Sequence, residues 1–347
     1  MTGDRRPLPG PLIGQPFRRP RYRLADVYVT ARGDSGMDGP HPKLQEMLEE
    51  EERLGIPPTD ALSVPAARRQ HIENATPEAG PTVERRWDLT VPGPVTDDPI
   101  DVRVYRPGND GPYPTLVWIH GGGFVLGSVE TADHHARSLA VAADCVVVSV
   151  GYHLAPERSF PDQPKECFAA LEWAADYADT FGGDPDRLAV GGDSAGGNLA
   201  AVTALQARDF DGPDLSHQLL VYPVTTDANL PSRAENAEGY GLTTDAMAWF
   251  DDKYITDPVD TASPYAYPLK ARDLSGLPPA TVITAGFDPL LDDGRRYADR
   301  LDDDGVPAEY REYEDMIHGF FGMIEEPDLE AAHDAIEWSG ERLRESF

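Results

Sequence analysis

The 347-residue sequence predicts an α/β fold, with a mostly parallel, doubly wound sheet of about eight strands and helices on both faces. Two observations carry this expectation. Short apolar runs bounded by turn residues recur at 115–120, 145–152, 187–193, 217–223 and 280–286, the pattern of strands buried on both faces. Helical patterns at 134–143, 163–178, 195–208 and 292–305 alternate with them. A repeating strand–helix order implies parallel strands joined by crossover helices.

In chain order, residues 1–40 are rich in Pro, Gly and Arg without periodicity and read as a flexible tail. Residues 41–75 hold two helical stretches separated by Pro57-Pro58, the first stopped by Gly55. Neither has the apolar surface to stand alone, so both are expected to pack on the main body as the first part of a helical cap. The catalytic domain is assigned to 76–347. Its first strands, 83–91 and 100–107, alternate in polarity and predict a hairpin-like pair. An interval at 225–267, containing Tyr240, Met247, Trp249, Phe250 and Tyr254, is far longer than a crossover needs. It predicts an insertion that completes the cap over the carboxyl ends of the strands, where such sheets bind ligands. A last edge strand at 308–314 and a closing helix at 328–345 follow, and no internal repeat is visible.

Composition limits the function classes. The chain has 30 basic and 61 acidic residues, a net charge of −31, and only four lysines. Residues 1–40 carry seven arginines and four acids, so this tail is +3 and the remainder −34. Nucleic acid and anionic membranes are thereby poor partners. The acidity reads as a solvated surface suited to a salt-rich, halophilic cytoplasm; a site for cationic substrates would instead require acids gathered around the pocket. No apolar run reaches the roughly 18 residues of a membrane span. The arginines near the start are followed by prolines rather than an apolar stretch, which predicts a cytoplasmic protein. The two cysteines, Cys145 and Cys167, read as buried packing residues. The sequence is compatible with a homodimer.

The chemistry concentrates in four places. Gly192-Asp193-Ser194-Ala195-Gly196 matches G-x-S-x-G, with a strand running in and a helix running out. A serine there sits on a sharp turn above the sheet, at a helix N-terminus that favours developing negative charge. His120-Gly121-Gly122-Gly123 follows the strand at 115–120. Serial glycines let N–H groups face a cavity and, with the Ala195 N–H, form an oxyanion hole. A phosphate loop would need the Gly-Lys-Ser/Thr ending, and Phe124 stands there instead. His120 itself is expected to orient the loop. Asp288, just past the strand at 280–286, is placed to orient a histidine. Asp292 and Asp293 are rival acids, but both fall at the start of a helix, where acids are common for dipole reasons. His318 follows the last strand and completes the order Ser, Asp, His.

Together HGGGF at 120–124, YHLAPE at 152–157, GDSAGGNLAA at 192–201, DPLLDDG at 288–294 and HGF at 318–320 resemble the hormone-sensitive-lipase-like esterases of bacteria and archaea, within the α/β-hydrolase fold. The likeness runs from about residue 41 to the C-terminus and leaves out the tail and the acidity. It implies Ser194 as nucleophile, His318 as base, Asp288 as orienting acid, and oxyanion donors from Gly122, Gly123 and Ala195. The expected activity is that of a serine carboxylesterase acting on short-chain acyl esters through an acyl-enzyme, with no cofactor and no metal. Phe124, Tyr240, Trp249, Phe250 and Phe320 are expected to line the substrate pocket. A deacetylase, lactonase or amidase on the same fold remains an alternative, because specificity resides in the cap and pocket. So does a non-catalytic ligand-binding relative, against which the complete triad weighs.

Three further features are set aside. Gly33-Asp34-Ser35-Gly36 is a chance match in an unpatterned segment. Asp133-His134-His135 lacks a second ligand pair for a metal. His333 has the spacing of a packing residue on the closing helix.

Overall fold

The computed structural model describes residues 39–75, 79–96 and 98–347. The expected tail, apart from Gly39 and Pro40, and the match at 33–36 lie outside the described residues. Among the described residues a single eight-stranded sheet has the order β1-β2-β4-β3-β5-β6-β7-β8. Its strands are β1 (Arg85–Val91), β2 (Ile100–Arg106), β3 (Tyr113–Ile119), β4 (Val146–Gly151), β5 (Gly183–Asp193), β6 (His217–Val221), β7 (Ala280–Phe287) and β8 (Ala308–Ile317). The β1–β2 and β2–β4 pairs are antiparallel and every pair from β4 to β8 is parallel. Thus 83–91 and 100–107 do form the expected pair, and the strand at 308–314 is the sheet edge.

Alternation along each strand sorts side chains between two cores. Val117, Ile119, Val146 and Val148 face one layer with Leu171, Leu199, Tyr297 and Leu301. Those four come from α4 (Asp162–Phe181), α5 (Ala195–Asp209) and α8 (Leu291–Asp303). Leu116, Trp118 and Val147 face the other layer with Leu139, Ile336 and Leu343, from α3 (Asp133–Ala142) and α9 (Glu330–Ser346). Both cysteines are free and buried. His333 corrects the sequence reading: it is exposed and pairs with Asp328 at 2.8 Å, because α9 buries Ala332 and Ile336 rather than position 333.

The chain steps from β3 outward to β4 and then back across to β5. That reversal opens a crevice beyond the carboxyl ends of β3 and β5, where the glycine loop and Ser194 emerge. Two helices of the 41–75 segment reach this end. In α1 (Pro42–Leu54) Leu44 is buried, and in α2 (Val64–Asn74) Ala67 is buried. Arg68 of α2 donates to Val125 O and Ala155 O, both at 2.9 Å, and pairs with Glu157 at 2.7 Å. Buried Asp133 accepts from Tyr105 Oη at 2.8 Å and from Arg137 Nε at 2.6 Å. Arg137 in turn reaches the Ala79 carbonyl at 2.6 Å, anchoring the chain that follows α2. Asp133 is thus an ion-pair hub, and among the described residues no group of three or more His, Cys, Asp or Glu could hold a metal. No helix among them is long and apolar enough to cross a membrane.

Candidate active site

Ser194 lies between β5 and α5 with φ 57 and ψ −118, a conformation costly for a residue with a Cβ. The turn is this tight because its glycines touch neighbouring backbone. A Cβ on Gly192 would stand 2.5 Å from Ile119 O, and one on Gly196 would stand 2.6 Å from His120 O. No side chain fits at either position, which explains why the motif requires glycine on both sides of the serine.

His318 Nε2 is 2.9 Å from Ser194 Oγ, and His318 Nδ1 is 2.7 Å from Asp288 Oδ2. Asp288 is fully buried and its Oδ1 accepts the Leu290 N–H at 2.8 Å. The Asn236 side chain donates to the Asp288 carbonyl at 3.1 Å, so the insertion at 225–267 braces the acid's own backbone. The Tyr222 ring packs 4.5 Å from the His318 ring. Asn236 and Tyr222 were missed in the sequence. Tyr222 carried a usable signal, since it stands at the carboxyl end of the strand beside the serine's own.

Beyond β3, Gly122 and Gly123 adopt φ 112 and φ 59. Among the described residues no backbone carbonyl outside the regular elements accepts from the N–H groups of Gly122, Gly123 or Ala195. His120 holds the loop as expected: its Nδ1 bonds Gly121 O at 2.7 Å, and Tyr152 Oη donates to the His120 carbonyl at 3.0 Å. Burial lowers the His120 pKa to about 4, which keeps the ring neutral.

The rival acids do different work. Asp293 is fully buried and accepts from the Thr225 N–H at 3.0 Å and from Arg233 Nη2 at 3.0 Å. Burial pushes its carboxyl up to about 6 against the opposing pull of Arg233. Asp292 accepts the Ser232 N–H at 3.0 Å. Both acids tie the inserted segment to α8, in particular at α6 (Pro231–Glu235). Helix dipole alone was an incomplete explanation for them.

A cavity of about 1170 Å³ contains Ser194, His318, Gly122 and Gly123. Its walls include Leu48 of α1, His71 of α2, and Met247 and Phe250 of α7 (Thr244–Tyr254). Of the residues expected at the substrate pocket, Phe124, Tyr240 and Phe250 line this cavity. Trp249 and Phe320 do not. Trp249 is one residue from Phe250 and so about 100° around the helix; both pack against the cluster of Ala67, Val125 and Leu126, but only Phe250 also reaches the cavity. Phe320 is wholly buried behind the site, against Tyr222 and Tyr313. Glu49, Glu51, Glu52, Asp227 and Asp251 also line the cavity. Lys270 pairs with Asp227 at 2.6 Å, and burial raises the Glu51 and Asp251 pKa values.

Known proteins share this fold. Residues 116–322 match the family described as alpha/beta hydrolase fold. The esterase LipI of Mycobacterium tuberculosis is 44% identical over 241 residues, which span 68% of this chain and 74% of that one. Ethyl acetate hydrolase of Pseudomonas putida is 36% identical over 285 residues, 78% of this chain and 88% of that one. The solved structure of a Pyrobaculum calidifontis esterase superposes with a TM-score of 0.81 at 42% identity, covering 88% of this chain and 98% of that one. The chain belongs to the α/β-hydrolase fold family, as one of its carboxylic ester hydrolases.

Proposed function

We propose that Ser194, His318 and Asp288 hydrolyse soluble esters of short acyl chains in two steps. Ser194 Oγ attacks the ester carbonyl carbon while its proton passes to His318 Nε2, and the carbonyl oxygen becomes an oxyanion facing the N–H groups of Gly122, Gly123 and Ala195. The tetrahedral adduct expels the alcohol, which takes the proton from His318 and leaves an acyl-Ser194. Water then attacks the acyl carbon and gives a proton to His318; the second tetrahedral adduct breaks its bond to Ser194 Oγ, which takes that proton from His318 as the acid leaves. Asp288 holds the imidazole tautomer with Nε2 facing the serine and stabilises the imidazolium.

The observation that carries this reading is the unbroken chain Ser194 Oγ, His318 Nε2, His318 Nδ1, Asp288 Oδ2, with spacings of 2.9 and 2.7 Å. Two features support short acyl groups: the Phe250 ring lies directly on Gly123, crowding the space beside the donor loop, and one relative is named for ethyl acetate. The segments 41–75 and 225–267 act together as the cap that selects substrates.

The test combines Ser194→Ala with a panel of p-nitrophenyl esters of graded acyl length and with amide, lactone and acetyl-sugar controls. We expect Ser194→Ala to abolish turnover and fluorophosphonate labelling with an unchanged far-UV spectrum. The wild type is expected to be fastest on short acyl groups. Persistent labelling in the variant refutes the nucleophile, and a faster amide, lactone or acetyl sugar reassigns the substrate class.

A further inference from the structure

We propose that Asp193 is the positioning residue of the glycine loop: its carboxylate bridges the serine turn and the loop, and so sets the separation of the oxyanion donors. Asp193 is the last residue of β5 and the immediate neighbour of Ser194. Its Oδ1 accepts the Gly121 N–H at 3.0 Å, one residue before Gly122. The pairing of β3 with β5 reaches only as far as Ile119 and Gly192, so past that point the ladder no longer holds the loop against the serine turn. The carboxylate continues the connection with a side chain where the backbone bonds stop.

The fit is close. A Cβ on Gly121 would press into the Asp193 carboxylate and stand 2.9 Å from Asp193 O, so the loop lies flat on this residue. Only 9% of the Asp193 surface is exposed. Burial pushes its carboxyl up to about 6, and the Gly121 bond opposes that rise. A position that served packing alone would be filled by an apolar residue without this desolvation cost.

The inference rests on Ser194 as nucleophile, and a Ser194→Ala control that kept activity would mark failure there rather than here. Asp193→Asn keeps the shape and an acceptor oxygen, while Asp193→Ala and Asp193→Ser remove the reach to Gly121. For each, kcat and KM are measured on a short p-nitrophenyl ester, together with the affinity for a trifluoromethyl ketone. Ser194 Oγ adds to the ketone's carbonyl carbon as its proton passes to His318, which leaves an oxyanion in the hole. Losing a donor outright costs about 10²–10³ in rate, so displacing the loop is expected to cost about 10- to 100-fold in kcat and in ketone affinity. KM should stay within about threefold, because the interaction matters in the transition state. Asp193→Asn is expected to recover most of both losses. The proposal is overturned if the two short variants leave kcat and ketone affinity near wild type, or if only KM moves. It is equally overturned if Asp193→Asn is as impaired as Asp193→Ala, or if neither short variant folds.

Discussion

Gly123 lies so close under the ring of Phe250 that a Cβ at position 123 would overlap its aromatic carbons. A residue of the inserted helix α7 therefore rests directly on a residue of the donor loop. Gly123 also has φ 59, which a side chain tolerates poorly. Gly123→Ala is expected to lower kcat/KM by about 10²-fold or more, through displaced donors and a displaced α7. The double variant Gly123→Ala, Phe250→Ala should recover part of that loss by returning the space. Additive losses in the double-mutant cycle would show that the two residues are not coupled.

The identity of the acid separates three neighbouring aspartates. Asp288→Asn is expected to reduce kcat by as much as about 10⁴-fold while the protein stays folded. Asp293→Ala leaves the largely buried Arg233 guanidinium without its carboxylate and is expected to cost up to about 3–5 kcal/mol of stability, read as a fall in denaturant midpoint. Asp292→Asn should change kcat little. A larger kcat loss at Asp292 than at Asp288 would mean that the wrong acid has been chosen.

His217 supplies a pH signature of the fold. Buried in β6, it bonds Thr281 Oγ1 at 2.9 Å and Ser346 Oγ at 3.0 Å. Burial, and secondarily Arg342, lowers its pKa to about 4 from the usual 6.5. A histidine held neutral contributes stability that is fully present above the unfolded pKa and is lost as pH falls toward the folded one. The stability advantage of the wild type over His217→Gln should therefore shrink between pH 6.5 and about 4, by at most about 3 kcal/mol. Denaturant titrations across that range measure it, and a constant gap would refute it.

The net charge of −31 predicts dependence on salt. Carboxylates repel one another over about 10 Å at 0.1 M salt but only about 3 Å at 1 M, so screening favours the compact state. Thermal melts in KCl are expected to show Tm rising with concentration, with kcat changing far less at a temperature where the protein stays folded. A flat or falling Tm would remove salt adaptation as the reason for the acidity.

The acidic cavity wall predicts a charge preference. With Glu49, Glu51, Glu52 and Asp251 facing the substrate space, a choline ester should have a lower KM than its uncharged carbon isostere at low salt. The difference should fade near 1 M KCl, where screening is strong. Equal KM values at low salt would show that these acids serve solvation alone.

The sequence by itself determined the strand–helix alternation and the order in which the glycine loop, Ser194, Asp288 and His318 follow their strands. Each of these is a local signal: an apolar run, a glycine-permitted turn, or an acid or histidine at a strand end. The glycine loop after β3, Ser194 after β5, Asp288 after β7 and His318 after β8 meet at one end of the sheet because parallel strands deliver every loop that follows them to the same side. What only the tertiary structure decided are matters of facing and partnership between distant segments. Phe250 rather than Trp249 meets the cavity because of how α7 lies on the body, not because of either residue's chemistry. Phe320 fills the space behind Tyr222 although its sequence neighbour Gly319 lines the cavity. His333 reaches solvent because α9 turns a different face inward. Asp193 bonds Gly121 across 72 positions of sequence, and no period or motif in either segment carries that distance. Local patterning specifies which face of an element is apolar, whereas the partner opposite each polar atom depends on how the elements are stacked.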